Sequence, residues 1–162
     1  MSSTEIERKF VLHSLPDDIE HKPHSVIRQG YIVTDSSNEV RVRAKGGDYF
    51  LTVKQGSGLS RHEVEIAINE QQFDALWTLT PGKRVEKTRY DYQDSGSLIE
   101  IDVYTSDLSP LMVAEVEFTS EDESSRYTVP AFFGPEVTED KSYKNASLAV
   151  RGIPESYRNN LT

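Results

Sequence analysis

Glu5-Ile6-Glu7-Arg8-Lys9-Phe10 alternates with the two-residue period of a β-strand, putting Glu5, Glu7 and Lys9 on one face and Ile6, Arg8 and Phe10 on the other. One such segment is ordinarily a solvated sheet face. Here the pattern returns along the chain, as same-sign pairs two residues apart: Arg41 and Arg43, Glu63 and Glu65, Lys87 and Arg89, Glu100 and Asp102, Glu115 and Glu117. A doublet that recurs on strand after strand belongs to the fold rather than to a local surface.

Working outward, alternation and β-branched or aromatic content predict eight strands, over 4–12, 26–34, 40–45, 49–54, 61–66, 84–92, 98–104 and 111–118. Gly30 inside the second predicts a bulge or a close backbone approach. Gly46-Gly47-Asp48 and Gly96 read as hairpin turns. Asn69-Glu70-Gln71-Gln72 is a capping box, followed by Phe73, Leu76 and Trp77 at helical spacing. A second capping box is read at Ser120-Glu121-Asp122-Glu123. The span 142–151 reads as a last helix, closed by Gly152 and Pro154. The fold class expected is α+β, in one domain spanning 1–162: eight antiparallel strands closed into a barrel, helices packed outside, and a C-terminal helix.

Composition narrows the function. Hydrophobic residues make up 36% and charged residues 28%, so some charge is expected inside. A formal net charge of -9 argues against nucleic acid as a partner of the outer surface. It leaves room for an anionic ligand at a local basic cluster. The absence of cysteine removes disulfides, thiolate metal sites and thiol nucleophiles. With no apolar run of the roughly 20 residues a bilayer requires, and no signal-like N-terminus, the chain reads as cytoplasmic and without a membrane partner.

Like charges at i and i+2 on a strand sit about 7 Å apart. Their repulsion is about 2 kcal/mol at an effective dielectric of 20. Pure-sign doublets are best offset by ligands of opposite sign: a divalent cation for the acids, an extended anion for the bases. Mg2+ and Mn2+ prefer carboxylate oxygens and keep phosphate oxygens in their shell, while Arg forks match phosphate geometry. A metal-bound linear triphosphate satisfies both sets, and an eight-stranded barrel holds one small ligand.

The ordered set of motifs resembles the CYTH superfamily of triphosphate tunnel metalloenzymes. It comprises Glu5-x-Glu7-x-Lys9, Gln29-Gly30-Tyr31, Arg41-x-Arg43, Leu51-Thr52-Val53-Lys54, Arg61-x-Glu63-x-Glu65, Lys87-Thr88-Arg89-Tyr90, Glu100-x-Asp102 and Glu115-Val116-Glu117-Phe118. A tail runs from Val137-Thr138 through Tyr143, Asn145 and Leu148-Ala149. The resemblance implies a triphosphate-binding tunnel whose catalysis needs Mg2+ or Mn2+. It implies Glu5, Glu7, Glu117 and Glu115 as metal ligands. Lys9, Arg41, Arg43, Lys54, Arg61, Lys87 and Arg89 would grip phosphate. Glu63, Glu65, Glu100 and Asp102 would hold a second metal, orient water or pair with the bases. Glu5, Glu7, Lys9, Lys87 and Tyr31, the last expected near Lys9, are the catalytic candidates.

The short chain looks most like bacterial members that hydrolyse inorganic tripolyphosphate. Adenylate cyclase, thiamine triphosphatase and a noncatalytic polyphosphate sensor are the rival readings, and a homodimer is left open. One departure is Ser142, where relatives often carry a basic residue; Lys141 and Lys144 are the candidates to replace it. His21 and His24 read as surface-loop residues, His62 as packing or solvent-facing, and Trp77 as core. Tyr127, Phe132 and Phe133 are expected to pack the tail over the barrel.

Overall fold

The computed structural model describes residues 6–56 and 61–159. Its elements are β1 (Ile6–Leu12), β2 (His24–Thr34), β3 (Asn38–Lys45), β4 (Asp48–Gln55), β5 (His62–Ile68), α1 (Glu70–Trp77), β6 (Arg84–Asp94), β7 (Ser97–Tyr104), β8 (Met112–Phe118), α2 (Glu121–Arg126), β9 (Phe133–Glu136), α3 (Asn145–Arg151) and α4 (Glu155–Asn159). All eight expected strands form. They join a single sheet of nine in the order β5-β4-β3-β2-β6-β7-β8-β1-β9.

The ninth strand corrects the expectation of an eight-stranded closed barrel. Its Gly134 and Pro135 read as chain breakers, yet β9 pairs with β1 through Phe10↔Glu136 and Leu12↔Phe133, fastened by Arg8 Nη2 donating to Glu136 Oε1 at 2.6 Å. The edge of β1 that closure would present to β5 is thereby taken at Phe10 and Leu12. Among the described residues the hydrogen-bonded ladder has two ends, β5 and β9, and is not closed.

One face of the sheet is apolar, as alternation requires. Leu12, Ile99, Ile101, Ala114, Val116 and Phe118 form a buried cluster with Ile19, covered by Tyr127, Phe132 and Phe133 as expected. Over β3 and β4 the same face is covered by α1, whose Phe73 is fully buried against Tyr49. The Asn69 capping box is present in both directions. At Ser120 the cap forms, but the reciprocal Glu123 carboxylate accepts from the N–H of Thr119 instead. Helical cover does not reach β5, where Val64 and Ile66 are 60% and 50% exposed. Trp77 is half-buried rather than core, lying between the guanidinium groups of Arg28 and Arg84 at 4.5 and 4.3 Å.

The opposite face is charged for most of its length and apolar at one end. There Val11, Tyr31, Val85, Tyr104 and Val113, which share the parity of the charge doublets, are buried under Tyr143, Leu148, Ala149 and Tyr157. The C-terminal helices therefore pack on the charged face and plug its end, instead of lying outside with α1. The expected 142–151 helix divides into a 3-10 turn over Lys141–Tyr143 and α3, ending at Gly152 with φ +80°.

Candidate active site

Alternation on each strand and register between strands assemble the site. Glu7 lies opposite Glu117, Lys9 opposite Glu115, and Glu115 opposite Glu100, joining β1, β8 and β7. Arg89 lies opposite Asp102. On the far half, Glu39 faces Lys54, Arg41 faces Thr52, Thr52 faces Glu65 and Lys54 faces Glu63. These two halves are separated by several strands, yet they line one cavity of about 740 Å³. The sheet must curl to bring them together. Six carboxylates (Glu7, Glu63, Glu65, Glu100, Glu115 and Glu117) and four cations (Arg41, Arg43, Lys54 and Arg89) contribute to its wall.

Several of these charges are already compensated. Arg89 donates to Asp102 Oδ1 at 2.8 Å and to Asp102 Oδ2 at 2.9 Å, and its Nη1 pairs with Glu100 at 2.7 Å. Burial alone would lower the Arg89 pKa, but Asp102 and Glu100 raise it above the ordinary value. Burial alone would raise the Asp102 carboxyl, but Lys87 and Arg89 hold it well below the usual carboxylate range. Glu39 accepts from Arg41 at 3.1 Å and stands 3.8 Å from Lys54 Nζ. Thr52 donates to Glu65 at 2.9 Å.

Arg43 differs. Burial lowers its pKa, and neighbouring Arg89 and Arg41 lower it further. Its Nε and that of Arg41 are both buried without a hydrogen-bond partner. Two such guanidinium N–H groups, two residues apart on one strand, want acceptors that carry negative charge.

The deeper end is quieter. Lys87 is 2% exposed and donates to Asp102 Oδ2 at 2.8 Å. Burial lowers its pKa, as does the nearby Arg89, against the opposing pull of Asp102. Tyr31 is buried and accepts from Gln29 Nε2; its phenol is pushed up to about 12 by burial and then by Glu39, so it stays protonated at neutral pH. Its neighbour across the ladder is Arg41. Gly30 makes the expected close approach, since a Cβ there would meet the Thr80 side chain at 2.6 to 2.9 Å.

Lys9 shares the face of Glu7, and its Nζ donates to the Tyr143 carbonyl at 3.4 Å. Arg61 precedes β5 and is exposed, outside the cavity wall. Glu5 lies outside the described residues. Ser142 bonds Asp140, while Lys141 and Lys144 are exposed. The tail instead brings Asn145, whose Oδ1 accepts from Tyr104 at 2.9 Å and from Lys87 at 3.4 Å. Glu39 and Asn145 escaped the sequence reading as site residues. Glu39 was accessible by extending the Arg41-x-Arg43 period back by two; Asn145 sits on a helix, where no strand period points to it.

The CYTH domain profile matches residues 3–130. The chain belongs to the CYTH domain family. Among CYTH relatives it is 51% identical over 150 residues to an inorganic triphosphatase of Nitrosomonas europaea, covering 91% of this chain and 97% of that one. It is 35% identical over 159 residues to an inorganic triphosphatase of Acetivibrio thermocellus, covering 96% of each. The crystal structure of the inorganic triphosphatase NE1496 superposes with a TM-score of 0.80 at 47% identity, over 94% of this chain and 98% of that chain. HpAC1 from Hippeastrum, with a TM-score of 0.51 at 16% identity over 75% of this chain and 83% of that one, shares the fold alone.

The CYTH family implies a divalent metal. The donors available fit a hard cation: cavity carboxylates, with neither sulfur nor imidazole on the wall among the described residues. Among the described residues, no three acidic or imidazole side chains are already gathered at metal-binding spacing.

Proposed function

We propose that this protein hydrolyses inorganic tripolyphosphate to pyrophosphate and phosphate in the cavity walled by Arg41, Arg43, Lys54 and Arg89. The observation that carries the reading is the pair of buried, unpartnered Nε–H groups on Arg41 and Arg43. A polyphosphate chain offers charged acceptors to both at once. The two named triphosphatases, similar over almost the whole chain, support the same choice.

Glu7, Glu115 and Glu117, with Glu5 beside them in sequence, are the residues we assign to hold Mg2+ or Mn2+. Bound there, the metal would act as a Lewis acid on phosphate oxygens. The remaining work falls to this chain's own side chains. Arg41, Arg43, Lys54 and Arg89 fix the anion and offset the charge that grows on it during in-line displacement. Asp102 and Glu100 orient Arg89 by occupying its other donors. A water oxygen attacks a terminal phosphorus, the bridging P–O bond breaks, and pyrophosphate leaves. We assign Lys87, whose ammonium is held by Asp102 at 2.8 Å, to orienting that water, and the proton the water gives up ends on the leaving pyrophosphate oxygen. Tyr31, fixed by Gln29 and protonated, supports Arg41 rather than acting as a base.

The test is orthophosphate release from tripolyphosphate, ATP and thiamine triphosphate, each with Mg2+, with Mn2+ and with chelator. Metal-dependent release from tripolyphosphate far above the other two is expected. Cyclic AMP formed from ATP, or binding of tripolyphosphate without any release, would overturn the reading.

A further inference from the structure

We infer that Asn145, the first residue of α3, is a positioning residue for Lys87, so that docking of the C-terminal segment completes the deep end of the site. The inference rests on the role proposed for Lys87. Two acceptors on different elements hold its ammonium: Asp102 Oδ2 on β7 at 2.8 Å and Asn145 Oδ1 on α3 at 3.4 Å. Asp102 alone orients it poorly, because the same Oδ2 also receives Arg89 Nη2. With two N–H directions set, tetrahedral geometry determines the third.

Asn145 is itself held in place. Its Oδ1 accepts from Tyr104 OH at 2.9 Å, and α3 is anchored through the buried Leu148 and Ala149. The Tyr143 carbonyl two residues earlier accepts from Lys9, so the same stretch touches a second lysine of the site. An alternative duty for an Asn at a helix start is capping, at which it excels. That duty is not performed: the N-cap of α3 is Lys144, without a side-chain cap, and the Asn145 oxygen turns to Lys87 and Tyr104.

The experiment is a double-mutant cycle on tripolyphosphate turnover, comparing Asn145→Ala, Lys87→Ala and the double variant, with Asn145→Asp as a variant that keeps the Oδ1 acceptor. Asn145→Ala is expected to lower kcat about ten- to a hundredfold with KM changed less than about threefold. In the Lys87→Ala background the same change is expected to cost nothing further. Asn145→Asp is expected to recover turnover relative to Ala, and it supplies the reading if the Ala variant fails to fold. An equal fractional loss in both backgrounds, a rise in KM alone, or an Asp variant as impaired as Ala would overturn the inference while leaving the role of Lys87 intact. Full activity of Lys87→Ala would overturn the proposed role of Lys87, and the inference with it.

Discussion

Lys87 Nζ and Asp102 Oδ2 meet at 2.8 Å between adjacent strands, with side chains 2% and 8% exposed. Removing one partner of such a pair leaves an uncompensated buried charge. Asp102→Asn, which also strips Arg89 of a bidentate acceptor, is expected to destabilise the fold by about 3–5 kcal/mol, measured by urea unfolding at neutral pH.

The same pair sets an acid limb of stability. The folded Asp102 carboxyl sits below its unfolded value of about 3.9. Its contribution is therefore fully present above about pH 5 and is lost as pH falls through the unfolded value toward the folded one. Between about pH 5 and pH 2, wild-type stability should fall more steeply than that of Asp102→Asn, as read by unfolding midpoints across that range.

Arg43 offers the opposite case, a half-buried cation whose buried Nε lacks a partner and whose pKa is lowered by burial. Arg43→Ala is expected to leave the unliganded thermal midpoint unchanged or slightly higher. It should raise KM for tripolyphosphate by about tenfold or more, the loss of one charge-assisted hydrogen-bonded contact. A large fall in thermal midpoint would mean that Arg43 is structural.

Glu39 lies 3.1 Å from Arg41 and 3.8 Å from Lys54, two cations of the proposed anion site, and would compete there with substrate. Glu39→Gln removes the competing charge while keeping the shape, so KM for tripolyphosphate should fall by roughly twofold to fivefold at low salt, and less at high salt. An unchanged KM at both salt levels would assign Glu39 to packing alone.

Gly30 touches Thr80, which is fully buried and engaged with the Trp77 carbonyl and Arg84. Because Thr80 cannot swing aside, Gly30→Ala should cost about 1–3 kcal/mol. Gly47→Ala, where a Cβ meets nothing within 4 Å, should change stability by less than about 0.5 kcal/mol. Chemical denaturation of the two variants makes the comparison.

By itself, the sequence determined the eight long strands and the face that each doublet occupies. Side-chain alternation is a local property, written into every second residue from Glu7 to Glu117. It also determined the Asn69 cap, which depends on residues near in the chain, and marked Gly30 as a place of close approach, although only the tertiary structure made Thr80 its partner. Only the tertiary structure decided that β9 takes the edge of β1, because that pairing joins Phe10 to Glu136 across more than a hundred residues. It likewise decided that α3 and α4 plug the charged face, since Val11, Tyr31 and Tyr104 are apolar positions on a face otherwise read as polar. Which charges are matched was the least legible part. Parity put Asp102 and Glu7 on the same face, but only register and curvature gave Asp102 to Lys87 and Arg89 and set Glu7 across from Glu117 in the open cavity.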